Sequence, residues 1–338
     1  MKSPYFSINI PAYNCGKLIL EALESVAKQS FQDWEVIVVD DGSSDETPAI
    51  CQMQDIIPSE KFVFVRASHV AQYGTRERLH SVSSGKMIFS LDADDCLLDE
   101  RALEKIYALQ TSTDADVVLF NATRDIDSYS LFIDYGELGT YKGCFDAEAA
   151  RLALYSGTSL NNICCKAYKS ELMSFGGTSY EIYHSEDRLQ CAELLEAVSS
   201  VALINEPLYY YRPNPSSVTN APYRLSSFED ALLVENLMDS LSAGRYRNML
   251  ARRKYLAQLI AYNLQPLHDS LDDKKDRLAA YCKIHEACCS ADAFPDKGVG
   301  VRPRHKLAYD LLISEEYEKL DFLLGLVGAA RNLLKGKS

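Results

Sequence analysis

The strongest constraint on this fold is the alternation of apolar and amphipathic segments over the first 120 residues. Residues 34–39 form a continuous run rich in β-branched side chains, which suits a sheet covered on both faces. Between such runs, apolar residues recur at three- and four-residue steps and mark one helix face: Leu18, Ile19, Ala22, Leu23, Val26 and Ala27. The predicted strands are residues 5–10, 34–39, 62–65, 87–91 and 117–120. This alternation predicts an α/β fold with a mostly parallel sheet flanked by helices.

The pattern changes beyond residue 120. Residues 125–145 predict a loop or hairpin, helical periodicity returns from 146 to about 203, and residues 207–222 are rich in turn formers. The stretch 226–334 is helical in character, with frequent Leu and Ala. We therefore predict a boundary near residue 220, with a helical C-terminal region over 221–338.

Composition excludes several classes of protein. The 338-residue chain has a formal net charge of −13, which disfavours nucleic acid as a partner because phosphate neutralisation needs excess Lys and Arg. None of its ten cysteines forms a Cys-x-x-Cys pair, so we expect reduced thiols and a cytoplasmic location. We also expect no secretory leader and no membrane-spanning helix. No sequence feature specifies an oligomeric state.

Three acidic clusters carry the chemistry. Residues 40–45 follow the second predicted strand, residues 92–95 follow the fourth, and Glu186 with Asp187 stand at a predicted helix start. In an open parallel sheet, ligands bind outside the carboxyl ends of the strands. Crowded carboxylates favour a hard cation such as Mn²⁺ or Mg²⁺, and such an ion usually keeps positions open for substrate phosphates. Taken singly, each cluster is also compatible with an ordinary turn or helix cap, as at Asp95.

The order of the motifs resembles one enzyme family. Residues 11–14, 30–47 and 85–95, the pair Glu186-Asp187, and residues 207–212 with Ser216 and Ser217 are similar to successive blocks of the family 2 glycosyltransferases. The resemblance covers about residues 4–220. It implies a GT-A fold, with a nucleotide-binding half over 1–115 and an acceptor-side half over 116–220, and an inverting transfer from a nucleotide-diphosphate sugar.

The resemblance also implies roles for single residues. Pro11 and Tyr13 line the nucleotide pocket, and Asp41 reads the uracil N–H. Asp187 is the general base, and Glu186 raises its pKa, orients the acceptor or caps the helix. The remaining donor-binding positions are Arg76, Asp92, Asp94, Asp95 and Arg212. The metal ligands are Asp92, Asp94 and His184.

Two of these assignments have alternatives within the sequence. The block around Arg76 departs from the family pattern, so Arg78 is the alternative base-side or diphosphate contact. Arg212 binds the diphosphate or forms a salt bridge at a strand end. Lys166 falls in a segment similar to the acceptor-side block, without a defined role.

The predicted function is transfer of a sugar from a UDP-sugar to a hydroxyl of a glycan or lipid-linked acceptor in surface polysaccharide biosynthesis. The alternative is a degenerate nucleotide-sugar binding module without transferase activity. A sugar nucleotidyltransferase is disfavoured, because no Gly-rich basic loop follows the first strand. Apolar residues 322–330 precede Arg331, Lys335 and Lys337, a pattern typical of peripheral contact with the inner membrane face or of a helix packed on its own protein.

Overall fold

The structure is a computed structural model that describes residues 3–175, 182–214, 224–290 and 301–335. Contacts within the chain define two compact units. The first comprises Met1–Leu154 and Thr158–Asn214, and the second comprises Tyr155–Gly157 and Pro215–Ser338. Ser216, Ser217 and Lys337 lie outside the described residues.

The first unit contains a mixed sheet of nine strands within the described ranges. They are β1 (Phe6–Ala12), β2 (Trp34–Asp40), β3 (Phe62–Arg66), β4 (Met87–Ser90), β5 (Cys96–Leu97), β6 (Val117–Thr123), β7 (Cys144–Asp146), β8 (Lys166–Lys169) and β9 (Ser200–Tyr210). Their order is β3-β2-β1-β4-β8-β6-β9-β5, and β7 pairs with β9. Strands β1 to β4 pair in parallel with one another, whereas β8 is antiparallel to both of its neighbours.

The described residues up to 214 form six α-helices: α1 (Leu18–Ala27), α2 (Thr47–Met53), α3 (Ala71–Val82), α4 (Ala102–Thr113), α5 (Ala147–Ser156) and α6 (Glu186–Ala197). Helices α1 to α4 pack on the sheet. The buried face of α1 is Ile19, Ala22, Leu23 and Val26, which lie at the predicted helical spacing. The predicted α/β fold with helices on the sheet is confirmed.

Four strands were missed by the sequence patterns: the short β5 and β7, and also β8 and β9. Strand β8 lies inside the segment predicted to be helical, and its four residues, Lys-Ala-Tyr-Lys, carry no apolar run. Strand β9 extends into the segment predicted to be turn-rich, because Pro207 suggests a break. Pro207 indeed sits where the register between β6 and β9 shifts, and such irregularities are where a strand tolerates a residue without an N–H donor.

The second unit is helical, as predicted. Its helices are α7 (Leu225–Leu241), α8 (Leu250–Asp269), α9 (Lys274–Ser290), α10 (Pro303–Ile313) and α11 (Tyr317–Lys335). Their core includes Phe228, Leu264, Tyr281 and Tyr309. No helix among the described residues is both long enough and apolar enough to cross a membrane.

Candidate active site

The site lies at one edge of the sheet, where three neighbouring parallel strands end. Ala12 at the end of β1 pairs in register with Asp40 at the end of β2, and β4 lies on the other side of β1. The loops that follow these strands must therefore start side by side. They contain Tyr13, Asp41 and the acidic turn 92–95, so three segments far apart in sequence meet at one edge.

One end of the site combines two rings with a buried carboxylate. The Tyr13 ring, which is half exposed, lies 4.8 Å from the His69 ring at an interplanar angle of 31°. The Nδ1 atom of His69 is 2.8 Å from Asp41 Oδ2, and the Val70 N–H donates to Asp41 Oδ1 at 2.9 Å. A planar heterocycle fits such a surface, because the rings offer stacking area and the carboxylate accepts N–H donors.

Gly42 makes this arrangement possible. Its φ of +80° lies in the region that favours glycine, and an added Cβ would stand 3.1 Å from the backbone N of His69. Ala71 also has a positive φ of 64°, at the residue that begins α3. A non-glycine residue in this conformation is costly and persists only where its surroundings impose it.

Arg76 joins the separate acidic clusters. Its buried guanidinium donates from Nη1 to Asp187 Oδ1 and to Gln190 Oε1, the latter at 3.0 Å. Its Nη2 lies 3.6 Å from Asp92 Oδ1, and its Nη1 lies 3.8 Å from Glu186 Oε1. One cation thus connects the strand-end turn to the acid pair of α6. Arg78 instead donates to the Ser68 carbonyl at 2.8 Å.

Burial changes the protonation of these carboxyl groups. It raises the pKa of Asp92 to about 6, although the positive charge of Arg76 works in the opposite direction. Burial and the neighbouring charge of Asp187 together raise the pKa of Glu186 to about 8. Glu186 is therefore a group that holds a proton near neutral pH.

The acid pair stands at the start of α6 in a constrained backbone. Ser185, which precedes the helix, has a φ of 67°, in the left-handed region that most residues avoid. Glu186 and Asp187 form the first helical turn, where N–H groups and the helix dipole favour negative charge. Strain of this kind occurs most often at functional sites.

The turn 92–95 is anchored by the end of β9. The Tyr209 hydroxyl accepts from the Asp92 N–H at 3.1 Å and donates to Asp95 Oδ2 at 2.8 Å. Asp95 Oδ1 accepts from the Arg212 N–H at 2.8 Å. Asp95 is buried, which raises its pKa to about 8. The Asp95 carboxylate contacts the protein backbone and Tyr209, so it stabilises the turn 92–95 from the buried side.

Three protein groups hold the Arg212 side chain, and one of them is Cys96 Sγ, which lies 3.7 Å from Nη2. The Arg212 Nε donates to the Asp94 carbonyl at 2.8 Å, and its Nη2 donates to Glu21 Oε2 at 2.6 Å. The structure thus contains the salt bridge that was one of its two predicted roles. Asp94 Oδ2 accepts from Asn214 Nδ2 at 2.9 Å.

Two other residues singled out from the sequence, Pro11 and Lys166, have separate contacts. Pro11 is within β1 and pairs in register with Val39. Lys166 is buried, and its Nζ donates to the carbonyls of Leu160 and Asn162. These two bonds stabilise the backbone of residues 160–162.

The predicted metal ligands are Asp92, Asp94 and His184, and a divalent metal needs such groups close together. Among the described residues, no three His, Cys, Asp or Glu side chains are grouped closely enough to hold an ion, so Asp92, Asp94 and His184 do not form a three-residue site. Mg²⁺, however, is usually bound by one or two carboxylates together with substrate phosphates. Asp92 Oδ1 is buried without a hydrogen-bond partner, as a ligand oxygen would be. Asp92 and Asp94 therefore fit an ion that a diphosphate helps to hold.

Several members of the site carried no sequence signal. His69, Gln190 and Asn214 belong to no recognisable motif, and each acquires its role through a contact with a residue distant in sequence. Tyr209 lies in the recognised block 207–212, but nothing in that block indicates that its hydroxyl bonds to Asp92 and Asp95. Only His69 had a weak sequence cue, because it follows a predicted strand end. The others are visible only once the sheet has been assembled.

Comparison with known proteins agrees with this geometry. Residues 7–157 match the family model described as glycosyl transferase family 2. This chain carries a family 2 glycosyltransferase domain of the GT-A type. The glycosyltransferase GlyG of Streptococcus pneumoniae is 27% identical over 264 residues, covering 72% of this chain and 82% of that protein. The putative glycosyltransferase EpsH of Bacillus subtilis is 25% identical, covering 69% of this chain and 67% of its own length.

Solved structures show the same fold. Residues 1–349 of S. aureus TarS, crystallised with UDP-GlcNAc, superpose with a TM-score of 0.67 at 17% identity. The match covers 96% of this chain and 92% of that one. The predicted GT-A fold and the family resemblance are confirmed.

Proposed function

We propose that this glycosyltransferase moves a sugar from a UDP-sugar to a hydroxyl group of a glycan or lipid-linked acceptor, with inversion at the anomeric carbon. The observation that carries the proposal is the buried Arg76, which holds Asp187 beside Asp92. A candidate proton acceptor thereby lies next to the turn at which a donor diphosphate would be bound. Relatives named for polysaccharide biosynthesis, such as AmsB of Erwinia amylovora, support the acceptor class.

The nucleoside end supports a uridine donor. Tyr13 and His69 provide ring surface, and Asp41 provides a carboxylate that accepts N–H donors, such as that of uracil. TarS structures in complex with UDP and with UDP-GlcNAc support the same class of donor. The route from this pocket to the turn 92–95 follows one sheet edge, which suits an extended nucleoside diphosphate.

In the proposed reaction, the acceptor oxygen forms its bond to the anomeric carbon as the bond from that carbon to the diphosphate oxygen breaks. The electron pair of the broken bond leaves with UDP, and the hydroxyl proton passes to the Asp187 carboxylate. Arg76 orients Asp187 by binding Oδ1. Glu186, which holds its proton near neutral pH, limits the negative charge crowded around that base.

Asp92 and Asp94 are the residues that would hold a divalent cation. Enzymes of the GT-A type commonly use Mn²⁺ or Mg²⁺, and such an ion supplies charge stabilisation for the leaving diphosphate. The protein contributes the rigidity of the turn, through Tyr209 and Asn214.

A donor panel tests the proposed function. Purified protein is mixed with UDP-, GDP-, TDP- and CMP-sugars and Mn²⁺, and the melting temperature and the release of free nucleotide are measured. A ligand that binds the native state raises the melting temperature. We expect a shift and slow hydrolysis with UDP-sugars only. Binding without turnover on any acceptor would favour the degenerate binding module, and absence of binding would contradict the proposal.

The C-terminal helix α11 supports the part of this proposal that concerns a lipid-linked acceptor. Leu320 and Leu324 pack in the core of the helical unit, whereas Phe322, Leu326 and Val327 are exposed. Exposed apolar side chains on one helix support peripheral contact with the inner membrane face, near a lipid-linked acceptor. Ten free thiols support a reducing, cytoplasmic compartment. Co-sedimentation with anionic liposomes tests the membrane contact, since Phe322→Ser should reduce pelleting and equal pelleting would exclude it.

A further inference from the structure

An exposed aromatic surface lies beside the acidic turn and is used by none of the roles above. Arg124, Phe132 and Tyr211 form it, and we call these three residues the aromatic platform. The Phe132 and Tyr211 rings are 5.4 Å apart at 27°. The Arg124 guanidinium carbon lies 4.2 Å from the centre of the first ring and 4.7 Å from the second.

The sheet fixes the position of the platform. The Phe132 N–H donates to the Ala122 carbonyl at 2.8 Å, and the Tyr211 N–H donates to the Thr123 carbonyl at 2.9 Å. Both rings are thus tied to the last residues of β6. Because β6 and β9 are parallel, this is also the end of β9, where Tyr209 anchors the turn 92–95.

The platform is close to the proposed chemistry. Tyr211 directly precedes Arg212, whose side chain binds the Asp94 carbonyl. Burial is the largest of the causes that raise the pKa of the Tyr211 phenol to about 12, and the charges of Asp92 and Asp95 contribute to the same increase. The opposite end of the platform, at Phe132, is 37% exposed.

The loop that carries Phe132 is unusually apolar for a solvated segment. Ile126, Tyr129 and Leu131 each expose about half of their side chains. Arg124 forms no ion pair with any carboxylate of the described residues, and its guanidinium contacts two rings. Apolar surface with one oriented, unneutralised donor group is typical of ligand sites.

We propose that the aromatic platform is the acceptor subsite and that it binds a pyranose ring of the glycan. The C–H groups of a pyranose fit against the electron-rich face of an aromatic ring. The neighbouring hydroxyls of the pyranose accept hydrogen bonds from the several N–H groups of Arg124. A sugar held there presents its free hydroxyl toward Asp92 and Asp187. This inference rests on the proposed function and adds the place and chemical class of the acceptor.

Saturation-transfer NMR on the full chain tests this assignment. The probes are UDP, inorganic phosphate and the methyl glycosides of glucose, galactose, N-acetylglucosamine and N-acetylgalactosamine. We expect at least one glycoside to bind with UDP present. Phe132→Ala should weaken that binding by about three-fold or more, because it removes the ring contact. Leu131→Ala is the matched control, with an exposed apolar neighbour shortened instead, and should leave glycoside binding unchanged.

The outcomes separate the two proposals. Absence of glycoside binding, equal weakening by Phe132→Ala and Leu131→Ala, or binding of phosphate alone would overturn the acceptor subsite while UDP binding stands. If the wild-type protein does not bind UDP, the proposed function itself is overturned. If Phe132→Ala fails to bind UDP through misfolding, Phe132→Leu keeps the apolar volume without the ring and should give the same weakening.

Discussion

Arg76 and Asp187 form an ion pair across 111 residues of sequence, and the same guanidinium lies 3.6 Å from Asp92. A buried guanidinium among three carboxyl groups is the element that unites the strand-end turn with the first turn of α6. Burial opposes its charge, yet the surrounding carboxylates hold the pKa of Arg76 above its usual range. The site is therefore built around one cation.

The first prediction concerns stability. Arg76→Gln leaves Asp92, Glu186 and Asp187 without their shared cation, and loss of one partner of a buried ion pair costs about 3–5 kcal/mol. Urea unfolding should show a decrease toward the lower end of that range, because Asp187 is partly exposed. Arg78→Gln, two residues away, is the control, because within the described ranges Arg78 bonds only to a backbone carbonyl, and it should change the free energy of unfolding by less than about 0.5 kcal/mol. Equal losses in the two variants would disprove the role given to Arg76.

How far the sequence predicts this site depends on how local each contact is. The strand ends and their acidic turns follow from apolar runs and motif order, so the sequence put Asp41, Asp92 and Asp94 after strands whose neighbour in the sheet is β1. The orientation of Arg76 toward Asp187 was not predictable, because it depends on how α3 and α6 pack.

A buried group of ion pairs in the second unit is another contact that residue propensities cannot predict. Arg252 is fully buried between Glu235 and Asp239, although its position in α8 reads as an ordinary charged residue. Helical periodicity predicts that α7 and α8 exist, but not which charged residue turns inward.

The second prediction follows from the raised pKa of Glu186. Below about pH 4.5 the carboxyl is protonated in both states, so Glu186→Gln and the wild type should be about equally stable. As pH rises toward 8, the unfolded wild type releases this proton while the folded state retains it, so the wild type loses stability. The variant should therefore be more stable than the wild type at pH 8, by on the order of 3 kcal/mol. Thermal unfolding at pH 5 and pH 8 measures this, and a difference independent of pH would contradict it.

The third prediction concerns the turn 92–95. Tyr209→Phe removes the hydroxyl that bonds to the Asp92 N–H and to Asp95, and each such buried bond contributes about 1 kcal/mol. We expect the KM for the donor to rise several-fold, since the turn becomes less ordered, and kcat to fall less. Tyr210→Phe is the matched control, because Phe keeps the ring beneath Arg212. If both variants behave alike, Tyr209 does not position the turn.

The fourth prediction concerns the nucleoside pocket. His69→Ala removes the ring packed on Tyr13 and the partner of Asp41, so the Kd for UDP should rise by about ten-fold. His80→Ala provides the comparison, since His80 contacts the Ser170 carbonyl and the Phe175 ring instead. Isothermal titration with UDP measures both variants, and unchanged affinity in His69→Ala would place the nucleoside elsewhere.

The most direct test of the account is the turnover of a UDP-sugar by Asp187→Asn, with UDP affinity measured on the same preparation. Asn keeps an oxygen to accept from Arg76 but cannot take the acceptor proton. We predict that turnover falls by about 10²–10⁴-fold while the Kd for UDP changes by less than about two-fold. Turnover close to that of the wild type would contradict it.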